Sequence, residues 1–211
     1  MSLASTAGLL ALLAALAACG TAPRTAAPGP APAADGDDPV AARVRADSAR
    51  RPYTEPDIRF MSHMIGHHEQ AVLMAGWAPS HGAGPAIRRL AERIASGQQD
   101  EIVTMRHWLQ DRGQPVHPGG HAMRMPGMLT DAQLRELDGA RAEAFDSLFL
   151  TYMVQHHRGA VSMVRDLFAT RAAARDETVF KFASDVSADQ STEIARMEAM
   201  LATLSTETRT Q

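Results

Sequence analysis

The sequence predicts an all-α protein, an antiparallel four-helix bundle built from two related helical hairpins. An internal repeat, the helical spacing of its apolar residues and the lack of any strand pattern lead there. Phe60, Met64, His67, His68, Ala71, Val72 and Met74 find identical partners 89 residues later, and Asp57 likewise meets Asp146. Further on, Ile94, Gln98, Glu101, Ile102 and Met105 are matched by Val186, Gln190, Glu193, Ile194 and Met197 at an offset of 92. Each unit therefore holds two helices. Within the first, Phe60, Met64, His67, His68, Ala71, Met74 and Ala75 fall on an arc of about 120°, the stripe an amphipathic helix buries. Nowhere do four or more β-branched or aromatic residues alternate with polar ones.

The elements follow in order. Residues 1–19 read as a signal segment: the apolar run 3–18 is too short to span a membrane, and Leu16-Ala17-Ala18-Cys19 resembles a bacterial lipobox. That resemblance implies a lipidated Cys19, a membrane anchor and a domain outside the cytoplasm. The alternatives for this stretch are a plain secretory signal or a buried helix. Residues 20–53, with Pro23, Pro28, Pro30, Pro32, Pro39 and Pro52 among small and polar residues, read as a tether that cannot bury enough surface to order itself.

The bundle is expected over 54–204. Its first repeat is 54–112: Thr54 and Asp57 have capping-box spacing, Pro56 is tolerated in a first turn, and a helix should run from Glu55 to near Trp77. A second opens at Pro85 and stops before Gly113 and Pro115. Residues 113–129 form a long connection rich in Pro, Gly, Met and His. The second repeat, 130–204, opens on a capping box at Thr130 and Gln133 with a short helix. It continues in a long one through about Thr170 and ends in a helix from about Asp176 to Leu204.

Composition narrows the function. Lys and Arg total 21 against 24 Asp and Glu, a net charge of −3, and aromatics make up 5%. Neither a basic face nor stacking platforms for nucleic acid are supplied. The single cysteine excludes an internal disulfide framework and a cysteine zinc cluster. What remains conspicuous is 12 Met and 9 His.

Two adjacent histidines in the middle of an apolar face, twice, are costly unless something pairs with them, since a buried unsatisfied polar group costs about 1–3 kcal/mol. His67, His68, His156 and His157 are therefore candidate metal ligands. Met64 and Met153 stand three residues before the pairs and Met74 and Met163 seven after His67 and His156. As candidate thioether ligands beside imidazoles they suit Cu(I), with Ag(I) possible, and suit hard cations poorly. Taken alone, these methionines are ordinary core fillers. His63, one turn before His67, is a further candidate that its counterpart Tyr152 cannot match. On the second helix of each unit, Glu101 and Glu193 fall in core stripes with Gln98 and Gln190 three residues earlier. All four are expected to hydrogen-bond the imidazoles and fix their tautomers. In the connection, His117, His121, Met123, Met125 and Met128 could wrap a soft ion, or else pack over the bundle end. His81 and His107 read as surface or capping residues.

The segments His63-Met64-x-x-His67-His68-x-x-Ala71-x-x-Met74 and Phe145-Asp146-x-x-Phe149-Leu150-x-x-Met153-x-x-His156-His157-x-Gly159-Ala160-x-x-Met163, with Gly127-Met128 ahead of the second, resemble the bacterial family catalogued as Domain of Unknown Function 305. The resemblance implies a ferritin-like four-helix bundle, exported, with some members tied to copper or silver binding and copper tolerance. It implies Met64, His67, His68, Met153, His156 and His157, with loop methionines, as ligands.

The reading is thus a lipid-anchored, extracytoplasmic Cu(I) or Ag(I) buffer or carrier, not an enzyme, whose partners are a membrane and a metal ion and not nucleic acid. Two alternatives stand beside it. One is a metal-free lipoprotein whose polar core fixes helix pairing. The other is a di-iron oxidase, which wants Glu-x-x-His on two helices, a pattern absent from the chain.

Overall fold

The computed structural model describes residues 53–116 and 125–209, together with Arg43. The chain divides into Met1–Asp38 and Pro39–Gln211, and the described residues all belong to the second unit. Cys19, most of the expected tether, and His117, His121 and Met123 of the connection lie outside them.

Five helices form: α1 (Glu55–Trp77), α2 (Pro85–Gln110), α3 (Asp131–Gly139), α4 (Ala142–Ala169) and α5 (Glu177–Arg209). No strand occurs among the described residues. The boundaries come from local chemistry. Asp57 Oδ2 accepts from the Thr54 N–H at 2.8 Å, closing the first capping box. Gln133 Oε1 accepts from the Thr130 N–H at 3.0 Å while the Gln133 N–H donates back to Thr130 Oγ1 at 3.3 Å, closing the second. Pro85 takes the first position of α2, where its missing N–H costs nothing. The last helix runs about a turn beyond the expected Leu204, because nothing in Ser205-Thr206-Glu207-Thr208 breaks it.

α1 packs on α2, α4 on α5, and α1 lies against α4, while α2 and α5 make the looser pair. The buried apolar residues fall into two clusters. The lower one combines Phe60–Ile65 at the start of α1, Ile102–Leu109 at the end of α2, Ala160–Leu167 at the end of α4 and Val179–Val186 at the start of α5. The upper one combines Ala71–Ala78, Ile87–Ile94, Phe145–Val154 and Met197. Every pair of neighbouring helices is therefore antiparallel. The connection between the hairpins must travel the length of the bundle, and its described part, residues 125–129, lies over the α1–α4 seam. Met125 packs on the lower cluster and Leu129 enters the upper one.

The repeated aspartates tie each hairpin to the other. Asp57 Oδ1 accepts from the Ala174 N–H at 2.6 Å in the α4–α5 loop, and Asp146 accepts from the Gly84 N–H, at 3.1 Å to Oδ2, in the α1–α2 loop. Burial raises the Asp146 carboxyl above its ordinary value, opposed by that hydrogen bond. His81 corrects the sequence expectation of a surface residue. It is buried, and its Nε2 donates to the Asp138 carbonyl at 2.9 Å, joining the α1–α2 loop to α3. His107 is exposed, as expected.

Candidate metal centre

Between the two apolar clusters lies a polar layer to which each long helix contributes two side chains. They are His67 and His68 from α1, Gln98 and Glu101 from α2, His156 and His157 from α4, and Gln190 and Glu193 from α5. The repeat explains the layer. Antiparallel hairpins related by pseudo-symmetry bring equivalent mid-helix positions to one height, so two pairs become four imidazoles in one plane of the bundle.

All four imidazoles are fully buried. The rings of His67 and His156 meet across the α1–α4 seam with centroids 3.8 Å apart. His68 and His157 stand further out, 6.4 and 6.2 Å from their neighbours in sequence. Two outward nitrogens are held. His67 Nε2 lies 2.9 Å from the Pro126 carbonyl oxygen, which can only accept, so Nε2 carries the proton. His157 Nε2 donates to Glu193 Oε2 at 2.8 Å by the same logic. His68 Nε2 approaches Glu101 Oε2 equally closely, at 2.8 Å, but out of line for a hydrogen bond. Glu193 thus makes the hydrogen bond expected of it, while Glu101 stands beside His68 without one.

Held in this way, His67 and His157 turn a bare Nδ1 lone pair to the interior. Nδ1 of all four histidines is buried with no hydrogen-bond partner among the described residues, as are Nε2 of His68 and of His156. Burial drives the His67 imidazole down to about 3, with His68 adding to the depression and the Pro126 carbonyl opposing it. Burial likewise holds His156 well below its ordinary value, followed by the fields of His67 and His157. Both rings are neutral at ordinary pH, the state in which imidazole binds metal.

Methionines flank the layer. Met64 and Met105, each about one helical turn from its layer residue, lie in the lower cluster, and Met153 and Met197 lie likewise in the upper one. All four are fully buried. Met105 and Met197 went unselected from the sequence although their match in the repeat was the available signal.

The connection crosses the layer at Pro126. Gln70 holds it there, accepting from the Leu129 N–H at 2.8 Å and donating to the Leu129 carbonyl at 3.2 Å. Gln155 Nε2 donates to the Gly127 carbonyl at 3.3 Å. Gly127 has φ +77° and faces Gly159 so closely that a Cβ on Gly159 would stand 2.0 Å from the Pro126 oxygen. Only two glycines allow this approach.

The remaining candidates separate. His63, Met125 and Met163 line a cavity of about 300 Å³ under the connection, at the lower edge of the layer. Met74 packs in the upper cluster with Leu90, Phe145 and Phe149. Met128 is half-buried in the turn ahead of Leu129. Gln98 and Gln190 correct the expectation that they bond the imidazoles: both amides are buried, and neither end of either has a partner among the described residues. The glutamates, one turn on, reach the rings first. Among the described residues no three His, Cys, Asp or Glu side chains converge as a ready-made coordination sphere. The donors on hand are bare imidazole nitrogens and flanking thioethers, a set that fits soft, low-coordinate ions.

The family described as Domain of unknown function (DUF305) matches residues 57–201, from the first turn of α1 into α5. The chain belongs to this family. A DUF305 protein of Streptomyces coelicolor, placed by its name among secreted proteins, shares 28% identity with a TM-score of 0.64, over 71% of this chain and 94% of its own. CopM in its Cu(I)-bound form shares 31% identity with a TM-score of 0.57, over 72% of this chain and 98% of its own. CopM is also known in Cu(II)-bound and silver-bound forms. An uncharacterized protein of Acanthamoeba polyphaga mimivirus, L153, is 36% identical over 56 residues, 26% of this chain and 37% of its own length. The all-helical DUF305 fold expected from the sequence is the one found.

Proposed function

We propose that this DUF305 chain is a soft-metal buffer or carrier that takes Cu(I), and Ag(I) in its place, into the imidazole layer between its two apolar clusters. The observation that carries the reading is the set of four buried Nδ1 atoms without partners among the described residues, with Nε2 of His67 and His157 tied down as N–H donors. A fold does not accept several such atoms in its centre at about 1–3 kcal/mol apiece without a use for them. Neutral imidazole and thioether are soft donors, and Cu(I) and Ag(I) accept two or three of them. Support from outside the chain is the similarity to CopM, which binds Cu(I) and silver.

His67 and His156, with rings in contact, are the first ligands in this reading, and Met64 and Met153 the nearest thioethers. His68 and His157 complete the layer. The Glu193 and Glu101 carboxylates sit at the outer edges of those rings, where they offset the charge an incoming cation brings. His63, Met125 and Met163, which line one cavity, form a second group of soft donors on the loop side; His117, His121 and Met123 lie outside the described residues. Binding, not turnover, is the proposed activity. The lipobox-like segment ending at Cys19 and the secreted Streptomyces relative support an extracytoplasmic, lipid-anchored placement.

X-ray absorption at the copper edge of Cu(I)-loaded protein tests the ligand set. A mixed nitrogen and sulfur shell is expected. A shell of oxygen and nitrogen alone would remove the methionines and move the ion away from the layer.

A further inference from the structure

We infer that the gap between α2 and α5, lined by Gln98, Glu101, Gln190 and Glu193, is the entrance through which soft cations reach the buried imidazoles. The inference rests on the metal-binding reading and adds the route to it.

A site whose four rings have no exposed surface needs a way in. On the α1–α4 side the described part of the connection covers the layer at Pro126. The connection lies on Gly159 with no room for a methyl group, its carbonyl caps His67, and Gln70 grips Leu129 at both ends of the peptide. The opposite seam is built differently. α2 and α5 are the loosely paired helices, and a cavity of about 340 Å³ lies between them. Glu101 and Glu193 line it, and each joins water to a ring: their side chains keep 24% and 19% of their surface exposed while a carboxylate oxygen stands 2.8 Å from His68 or His157 Nε2.

The two glutamines make the gap more than a packing fault. Gln98 and Gln190 line the same cavity, are 4% and 3% exposed, and leave both ends of each amide without a partner among the described residues. A wall that served packing alone would carry leucine there, because a buried amide loses its bonds to water and gains none. An amide oxygen that is desolvated and unpaired is a stepping point for a partly dehydrated cation, and a carboxylate beside it draws that cation in. Arg93 Nε forms an ion pair with Glu193 Oε1 at 3.7 Å, beyond hydrogen-bond range, and Arg196 also lines the cavity; among the described residues neither arginine pairs with Glu101. From Glu101 and Glu193 the next donors inward are the imidazoles.

Two variants close the gap by different means. Gln98→Leu/Gln190→Leu makes the lining apolar with little change in volume. Gly97→Phe places a ring at the cavity wall, where the added Cβ meets nothing within 4 Å. Both leave the histidines, glutamates and methionines untouched. In the metal-free protein, nuclear magnetic resonance should show the His157 Nε2 proton exchanging with water at least ten times faster than that of His67, and slowing at least tenfold in either variant. Stopped-flow transfer of Cu(I) from a chelator should then show uptake and release both slowed at least tenfold, with Kd within twofold of the parent. Unchanged uptake in both variants overturns the entrance, and a weakened Kd with normal uptake makes the glutamines ligands instead. Fast His157 exchange that the variants suppress, in a parent that binds no Cu(I), would refute the proposed function and leave the gap a water channel, not a cation entrance.

Discussion

Gly159→Ala is the smallest change that tests how the connection is held against the imidazole layer. The added Cβ would stand 2.0 Å from the Pro126 oxygen, 2.4 Å from its carbon and 2.5 Å from the Gly127 Cα. All three are backbone atoms, so no side chain can swing aside. Restoring ordinary contact requires the connection to retreat by more than about 1 Å, since overlaps on this scale are not absorbed by bond angles. The His67–Pro126 contact, at 2.9 Å, then exceeds hydrogen-bonding range. Losing it orphans a buried N–H at about 1–3 kcal/mol, and loosening the two Gln70–Leu129 bonds adds about 1 kcal/mol each. The total is about 3–5 kcal/mol, a large share of the stability of a domain this size. Urea denaturation of parent and variant measures it. Gly76→Ala is the control: its Cβ meets nothing within 4 Å, so helix propensity alone should stabilise by about 0.5–1 kcal/mol. A loss below about 1 kcal/mol in Gly159→Ala would show that the connection does not rest on α4 as described.

Two further outcomes follow from charges buried in the bundle. His67 and His156 are neutral when folded but have ordinary basicity when unfolded, so their contribution is fully present above about pH 6.5 and is lost as pH falls toward His67's value of about 3. The His67 imidazole removes about 1.4 kcal/mol per pH unit in that window, so it alone should cost about 3 kcal/mol by pH 4.5, and His156 adds a loss of the same sign. Urea midpoints at pH 7, 5.5 and 4.5 read this directly, and a flat profile would contradict the buried neutral rings. Asp176 accepts from Trp108 Nε1 and Arg112 Nη2 and from the Thr178 and Val179 N–H groups at the start of α5. Asp176→Ala should lower stability by about 3 kcal/mol, roughly 10 °C in Tm. A thermal melt displaced by less than about 3 °C would count against that cap.

Much of this molecule could be read from its repeat. The identical spacing of Phe60 to Met74 and Phe149 to Met163 gave two equivalent helices and their buried faces, and the capping boxes at Thr54 and Thr130 set two starts to the residue. Glu101 and Glu193 were legible because helical spacing puts them in core stripes. What escaped were relations between helices. Periodicity fixes a residue's angle about its own axis, not its height against a neighbour, so eight residues forming one layer could not be seen. The same limit hid Met105 and Met197, and it made Gln98 and Gln190 look like partners of rings that the glutamates already hold. Gln70 and Gly159 were missed for another reason. Each acts on the connection, 59 residues downstream of Gln70 at Leu129, and nothing local to either announces it. His81 looked like a loop residue because its partner Asp138 is 57 positions away.

An anaerobic Cu(I) titration against a competing chelator tests the central claim most directly. It would compare the parent with a variant in which His67, His68, His156 and His157 are all alanine, and include Zn²⁺ and Fe²⁺ as controls. The account predicts tight, saturable Cu(I) binding by the parent, none comparable for Zn²⁺ or Fe²⁺, and loss of tight binding in a variant that stays helical. Equal Cu(I) affinity in parent and variant would contradict it, because the four imidazoles would then be a polar core and not a metal site.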